Sequence, residues 1–160
     1  MSRQVAALGE GRPVRPILTH VGGEAGRLAR LFDEVAPRLA ERFHVVLYDV
    51  RGHGRSTAPK PLRGGFTPEK LTDDFLAVID TVSPDRPVHV VGHDWGSVQS
   101  WEFVTVRRTE GRIASFTSMS GPSLDHFGHW ISDRLRKPTP RRVGQLLQRD
   151  LLLCLGLFPR

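Results

Sequence analysis

The sequence predicts an α/β fold, a partial and mostly parallel sheet flanked by helices, and three observations support that class. Residues 44–50 and 88–91 are short runs rich in β-branched residues, as expected of strands. Residues 67–82, between them, repeat apolar side chains at helical spacing. A strand, a helix and a second strand of this kind form a right-handed parallel crossover, which brings the carboxyl ends of both strands to one edge of the sheet.

The first half of the chain supplies two predicted strands and one helical region. Residues 16–21 could form a short strand that ends at two glycines. Apolar side chains recur at helical spacing over residues 28–39, where Pro37 must kink the helix or begin a new one. Residues 44–50 are apolar on both faces until Asp49, which is typical of a buried parallel strand.

The second half begins with a residue pattern that is typical of a helix start. Thr67 can cap the helix, Pro68 takes its first position and Glu69 its first turn. A Ser-Pro pair ends this helix. Beyond the strand at 88–91 and the helix after it, residues 112–119 are predicted to form a further strand that stops at Ser-Gly-Pro.

Size and composition are those of one soluble globular domain. A hydrophobic content of 39% and a charged content of 25% exclude a chain that is disordered throughout. The sequence shows neither the apolar region of a signal peptide nor a run of about eighteen apolar residues. We therefore expect a cytoplasmic protein without a membrane span. The single cysteine, Cys154, cannot form an internal disulfide.

The chain divides into three predicted parts. Residues 1–16 are rich in glycine, arginine and proline without either periodicity, and we expect a loose segment there. Residues 17–122 contain the predicted strands and helices and form the sheet-and-helix core. Residues 123–160 follow the last predicted strand and form a separate C-terminal region.

A sharp turn joins the strand at 88–91 to the next helix, and Asp94 is its central residue. The motif reads Gly92-His93-Asp94-Trp95-Gly96. The two glycines leave room where side chains would collide with the neighbouring strand and helix. Such a turn strains the central backbone and pushes that side chain beyond the sheet edge, where the helix N–H groups also point. The alternative is an ordinary turn aspartate followed by Trp95 as a core aromatic residue.

With an aspartate at this position, the chain resembles the α/β-hydrolases of the epoxide hydrolase and haloalkane dehalogenase branch. The loop after the strand at 44–50 carries the second part of the resemblance. It reads Asp49-Val50-Arg51-Gly52-His53-Gly54-Arg55-Ser56. The similarity runs from about Asp33 to about Trp130, so the chain looks like the N-terminal fragment of such a hydrolase. Residues 123–160 would then be the start of its helical lid.

The resemblance implies a two-step hydrolysis at Asp94. An aspartate is an anion at neutral pH, so it can attack a saturated carbon without a base and form an alkyl-enzyme ester that water then hydrolyses. The backbone N–H of Trp95 is implied as one oxyanion donor, and the turn at His20 as the second. That second match is partial, since Val21 stands where the family has glycine. In dehalogenases the indole at Trp95 also holds the halide, so epoxide and alkyl halide both remain open as substrates.

Five residues are implied as structural support rather than as reacting groups. The elbow is supported by Gly92, His93 and Gly96, and the loop after the strand at 44–50 by Asp49 and Arg51. His53 lies in that same loop. We favour an architectural role for it over a catalytic one, because a flexible position between glycines holds a base poorly.

We expect no cofactor and no metal. His126 and His129 could share a helical face, but no third metal ligand is obvious nearby, so ordinary lid or interface residues are favoured. Some bacterial relatives carry a short-chain dehydrogenase domain behind such a hydrolase, and this sequence shows no dinucleotide fingerprint. Asp125 follows a strand end and could orient a base, which is a minority interpretation.

Much of the family's remaining machinery is missing. The general-base histidine and its carboxylate partner come from loops that would lie beyond residue 160. Epoxide hydrolases also use lid tyrosines to protonate the departing oxygen, and the only tyrosine here, Tyr48, lies within a predicted strand. We therefore expect that the isolated chain cannot turn over.

The charge and the C-terminal tail bear on possible partners. The formal net charge of +6 concentrates near residues 134–142, where a solvated helix face is favoured over a nucleic-acid site because no aromatic residue interleaves with the charges. Residues 146–158 begin with Leu146, end with Phe158 and are strongly apolar. They favour self-association or pairing with another chain. The competing class of function is therefore a non-catalytic truncated domain, whereas a serine esterase is disfavoured because Gly-x-Ser-x-Gly does not occur.

Overall fold

The computed structural model describes residues 5–8, 16–20, 29–54 and 56–146, with side chains from Glu34 onward. Two strands come first, helices and strands then alternate, and two helices come last, with a short 3-10 turn before the last strand. The elements are β1 (Val5–Leu8), β2 (Pro16–His20), α1 (Ala29–Ala40), β3 (Val45–Tyr48), α2 (Pro68–Val82), β4 (Val88–His93), α3 (Trp95–Thr105), β5 (Ile113–Met119), α4 (Leu124–Arg136) and α5 (Pro140–Leu146).

The strands form one five-stranded sheet in the order β1-β3-β2-β4-β5. The pairs β2–β3, β2–β4 and β4–β5 are parallel, and only β1 runs antiparallel to its neighbour β3. The predicted α/β class with a mostly parallel sheet is therefore confirmed. Because β2, β3 and β4 run in the same direction, the loops that follow them lie at the same edge of the sheet.

The strand β1 corrects one prediction. Val5–Leu8 pairs antiparallel with β3, with Val5 opposite Tyr48 and Leu8 opposite Val45. The expectation of a loose segment over residues 1–16 is therefore wrong at these four residues. The physical reason is that so short a run carries no readable periodicity, and its strand conformation comes from pairing with β3 rather than from local preference.

The core lies where α2 and α3 pack against the sheet. Phe75 of α2 and Phe103 of α3 are fully buried, and their rings stack with centroids 4.5 Å apart. Val88 and Val90 of β4 are buried beneath them in the same cluster. Each such side chain contributes about 1.5–3 kcal/mol through burial. This packing fixes α3 against β4, and so it fixes the turn between them.

The predicted start of α2 is present. Thr67 is the N-cap residue with an extended backbone (φ −67°, ψ 152°), and Pro68 opens the helix. Hydrogen bonds from its own backbone N–H and from the Thr67 hydroxyl hold the pKa of the Glu69 carboxyl below its ordinary value. Pro37 lies within α1, which continues through it as one helix.

The chain divides into two compact units, residues 1–122 and residues 123–160. Within the second unit, the Arg134 guanidinium lies 3.7 Å from the centre of the Trp130 ring and donates to the Gln145 side chain of α5 at 3.1 Å. No side chain of α4 or α5 is buried. A lid role for this unit stays a prediction, and the apolar tail beyond Leu146, with Cys154, lies outside the described residues. None of the described helices has the length and apolar character needed to cross a membrane.

Candidate active site

Asp94 is the single residue between the end of β4 and the start of α3. Its φ of 52° and ψ of −124° lie in a region that residues other than glycine rarely adopt. Such a conformation costs about 1–3 kcal/mol and persists only where the surroundings enforce it. The residue is exposed, and within the described part of the chain its side chain makes no capping hydrogen bond to α3. The carboxylate is thus directed outward rather than used to close the turn.

The glycines of the elbow allow the strand and the helix to approach closely. A Cβ atom at Gly92 would lie 2.6 Å from the Ser97 Cα and 2.9 Å from the Gly96 carbonyl oxygen. Both are backbone atoms of the first turn of α3, which cannot move aside without displacing the helix. Gly92 and Gly96 are both buried. A side chain at position 92 would therefore push α3 away from β4.

The peptide groups on either side of Asp94 are both hydrogen-bonded. Its N–H donates to the Met119 carbonyl at the end of β5 at 2.9 Å, and its carbonyl accepts from the Val98 N–H at 3.0 Å. The first bond ties the elbow to the neighbouring strand, and the second is the first turn of α3. The backbone on which the carboxylate stands is thus held from two directions.

The N-terminus of α3 provides the electrostatics of the site. The first helical hydrogen bond is donated by Val98, so the amide of Trp95 lies ahead of the helix ladder at its positive end. This end favours a carboxylate at Asp94 and any negative oxygen that forms beside it. The Trp95 side chain is 57% exposed, which excludes the alternative that it is a core aromatic residue.

His20 ends β2 opposite His93, the last residue of β4. The turn that follows His20 therefore starts beside the elbow, although residues 21–28 lie outside the described residues. The contribution of His20 to an oxyanion hole stays a prediction. His93 is half-buried immediately before Asp94.

Arg51 is the centre of the loop after β3. It is buried, and its Nε donates to the Asp74 carboxylate at 2.6 Å. Its Nη1 donates to the Gly65 carbonyl at 2.7 Å and its Nη2 to the Lys70 carbonyl at 2.8 Å. One side chain thus joins the loop to the start of α2 at three points. The loop is held by a buried ion pair together with two carbonyl groups.

Asp49 and His53 also serve the architecture of that loop. The Asp49 carbonyl accepts a hydrogen bond from the Ser56 hydroxyl at 2.7 Å. A Cβ at Gly54, whose φ is 52°, would lie 2.6 Å from Asp49 Oδ1, so only glycine fits against this carboxylate. The His53 ring Nδ1 lies 3.1 Å from the Arg51 carbonyl. This contact agrees with the architectural role favoured for His53.

The remaining candidates do not form a second site. His126 Nδ1 lies 3.1 Å from the Ser123 hydroxyl within the second unit, the unit that also contains Asp125 and His129. Across the described residues, no three His, Cys, Asp or Glu side chains are grouped closely enough to hold a metal. Tyr48 is 6% exposed at the end of β3 and belongs to the core.

The structure adds a polar cluster behind the elbow that the sequence did not reveal. The Gly121 carbonyl lies within hydrogen-bond distance of the Ser97 hydroxyl (2.9 Å), the Trp101 indole N–H (3.0 Å) and the Ser118 hydroxyl (3.0 Å). Small serines on a helix and a strand give no distinctive sequence signal. Their alignment depends on the register of α3 against β5.

Comparison with known proteins gives consistent results. The family model of the alpha/beta hydrolase fold matches residues 16–140. The chain is 44% identical over 151 residues to "Probable oxidoreductase EphD" of Mycobacterium tuberculosis, covering 94% of this chain and 25% of that protein. It is 35% identical over 115 residues to epoxide hydrolase A of the same organism, covering 71% of this chain and 34% of that protein. The chain thus spans between a quarter and about a third of these relatives, and the oxidoreductase name belongs to the longer protein.

A solved structure agrees with the sequence relatives. The crystal structure of epoxide hydrolase VrEH1 from Vigna radiata superposes with a TM-score of 0.63 at 26% identity. The match covers 76% of this chain and 35% of that structure.

Proposed function

Because the chain belongs to the α/β-hydrolase fold family, we propose that it supplies the nucleophile half of an epoxide hydrolase-like active site, with Asp94 as the nucleophile. The observation that carries this proposal is the elbow itself: an exposed aspartate at φ 52° between a parallel strand and a helix N-terminus. Epoxide hydrolases among the relatives support the reaction class.

The reaction has two steps. One carboxylate oxygen of Asp94 attacks an epoxide carbon, the ring C–O bond breaks, and the released oxygen takes a proton from water to become a hydroxyl group. This leaves an ester between the substrate and Asp94. Water then attacks the ester carbonyl, the diol leaves and the carboxylate is restored. The negative oxygen of that second step lies toward the N–H groups that begin α3.

The second step needs a general base, and we infer that it comes from the part of the relatives that this chain does not span. The base and its carboxylate partner belong, in the resembled family, to later strands. The chain alone is therefore expected to stop at the ester. Accumulation of that ester gives a direct test of the nucleophile.

An alkyl halide is the second candidate substrate, and Trp95 is compatible with it but does not choose between the two chemistries. Trp95 follows Asp94 directly and is 57% exposed. Attack by Asp94 would then form a carbon–oxygen bond as the carbon–halogen bond breaks. The ester linkage to the enzyme would be of the same kind, which lets one assay compare both reagents.

The test is intact-mass analysis of the chain after incubation with styrene oxide or with 1-iodobutane. We expect one adduct per chain, mapped by peptide analysis to Asp94 and released by hydroxylamine, which cleaves an ester but not a thioether at Cys154. The variant Asp94→Asn should lose the adduct. The control Asp85→Asn removes an exposed aspartate just before β4, at the opposite end of that strand, and should keep it.

Two results would contradict the proposal. An adduct that survives in Asp94→Asn would mean that another group is alkylated. If neither reagent labels the chain, the result would favour the competing hypothesis of a non-catalytic domain that acts by association. Light scattering would then be expected to show a stable complex between two copies of the chain. Preference for styrene oxide over 1-iodobutane distinguishes the two enzymatic candidates.

A further inference from the structure

The polar cluster behind the elbow contains four hydrogen-bond contacts but only three donor protons, those of Ser97, Ser118 and Trp101. The Ser97 and Ser118 hydroxyl oxygens are 2.6 Å apart, and both lie close to the Gly121 carbonyl. Each hydroxyl has one proton, and a carbonyl oxygen has two lone pairs. Two assignments are consistent: one serine hydroxyl donates to the other, and the second donates to Gly121. Trp101 donates to Gly121 in both, and Ser97 is the serine that links α3 to the turn. The two lone pairs of a buried carbonyl are then both used.

The turn that carries this carbonyl lies directly against the nucleophile. Ser120 has a φ of 56°, so the chain turns back sharply after β5. A Cβ at Gly121 would overlap the Asp94 carbonyl oxygen and would lie 2.6 Å from the Ser97 Cβ and 3.0 Å from the Val98 nitrogen. At the other end of the turn, Met119 accepts the Asp94 N–H. The turn therefore contacts both peptide groups of Asp94.

We propose that Ser97 and Trp101 are positioning residues, which hold the turn at residues 119–121 against the elbow and thereby fix the direction of the Asp94 carboxylate. This inference rests on the proposed function. The physical chain is short: the two donors hold the Gly121 carbonyl, the turn holds the Asp94 peptide, and the peptide sets the angle of attack. Reaction rates are sensitive to such placement, since a misplacement of about 1 Å can cost on the order of 100-fold.

Trp101 offers the cleanest substitution. Its ring packs edge-to-face on Phe116 with centroids 5.2 Å apart, a contact that phenylalanine can largely keep. Trp101→Phe therefore removes the N–H and leaves most of the packing. Ser97→Ala removes the other donor from a site with no exposed surface. Ser118→Ala leaves Ser97, the serine on α3, in place to donate to Gly121, so its effect should be the mildest.

The experiment measures the rate of Asp94 labelling by styrene oxide as a function of reagent concentration. We expect Trp101→Phe and Ser97→Ala each to lower the saturating rate constant roughly tenfold, as geometry is relaxed. The half-saturating concentration should change little, because neither residue is expected to contact the reagent. The matched control is Thr105→Val on the same helix, whose hydroxyl donates to the Trp101 carbonyl at 2.9 Å. It should label at the wild-type rate.

A second readout separates positioning from general loss of structure. The backbone amide proton of Asp94 should move upfield in the NMR spectra of Trp101→Phe and Ser97→Ala as its bond to Met119 lengthens, and it should not move in Thr105→Val. If the wild-type chain is labelled at Asp94 and both variants are labelled at the same rate as the wild type, the positioning role is overturned and the proposed function stands. If the wild-type chain is not labelled at Asp94, the proposed function fails and the positioning role fails with it.

Discussion

Two turns at the same edge of the sheet are stabilised in opposite ways. The elbow after β4 is held by backbone groups, with glycines where side chains would collide and with hydrogen bonds to both peptide groups of Asp94. The loop after β3 is held by one long side chain, Arg51, which contacts a carboxylate and two carbonyls. The comparison teaches that a turn can be held through its backbone, which leaves the Asp94 side chain exposed, or through one fully engaged side chain such as Arg51. The elbow depends on backbone contacts around Asp94, whereas the loop depends on the hydrogen bonds of the Arg51 side chain.

The largest expected effect is on the loop. Arg51→Met would leave Asp74 buried without its charged partner, since these side chains are only 8% and 3% exposed. We expect a loss of about 3–5 kcal/mol in the free energy of unfolding, measured by urea denaturation. The matched control is Arg108→Met. It breaks an exposed ion pair with Asp73, which lies next to Asp74 on α2, and it should cost about 0–1 kcal/mol in the free energy of unfolding. Equal losses in the two variants would mean that Arg51 does not act as a buried brace.

The next effect should fall on the elbow. Gly92→Ala places a methyl group against backbone atoms of α3, and overpacking of this kind costs about 1–3 kcal/mol. Because the first turn of α3 must shift, the rate of Asp94 labelling should fall roughly 100-fold. This decrease is expected even under conditions where the variant remains folded. The control Gly128→Ala adds a methyl group that meets no atom within 4 Å on α4. Wild-type labelling in Gly92→Ala would break the proposed link between close packing and reactivity.

A double substitution sharpens the comparison. Replacing both partners of the buried pair, as in Arg51→Met with Asp74→Leu, should recover part of the stability lost in Arg51→Met alone, by about 1–3 kcal/mol. The Asp74 carboxylate, which loses its ion pair with Arg51 in the single variant, is then absent from the core. The measurement is a double-mutant cycle by urea denaturation. Additive losses would show that the ion pair itself is not the source of the effect.

The smallest effect concerns the helix that follows the loop. The pKa of Glu69 is lowered from its ordinary value of 4.5, chiefly by its own backbone N–H and then by the Thr67 hydroxyl. A lowered folded-state pKa gives stability that is present above the ordinary value and is lost as the pH falls through the folded value. Thr67→Val should raise the pKa of Glu69, as measured by NMR titration of its side-chain carbon. An unchanged titration would contradict the role of the hydroxyl.

The sequence predicted the elements whose signals are local. The helix that begins at Thr67 and the turn at Asp94 were both readable, because capping residues and turn glycines act on their immediate neighbours. It could not predict β1, whose strand conformation comes from pairing with β3. It identified Arg51 as a brace but not its partner Asp74, which lies 23 residues away. The cluster at Gly121 was also missed, since it depends on how a helix and a strand align in space.

The hydrogen bonds that hold Asp94 run through its peptide N–H and carbonyl. The neighbouring residues therefore hold position 94 through its backbone, and these two hydrogen bonds do not depend on the side chain. A serine could therefore replace Asp94 in this chain without loss of either backbone hydrogen bond. If Asp94 reacts as proposed, such an exchange would change the reacting group while the scaffold stayed the same.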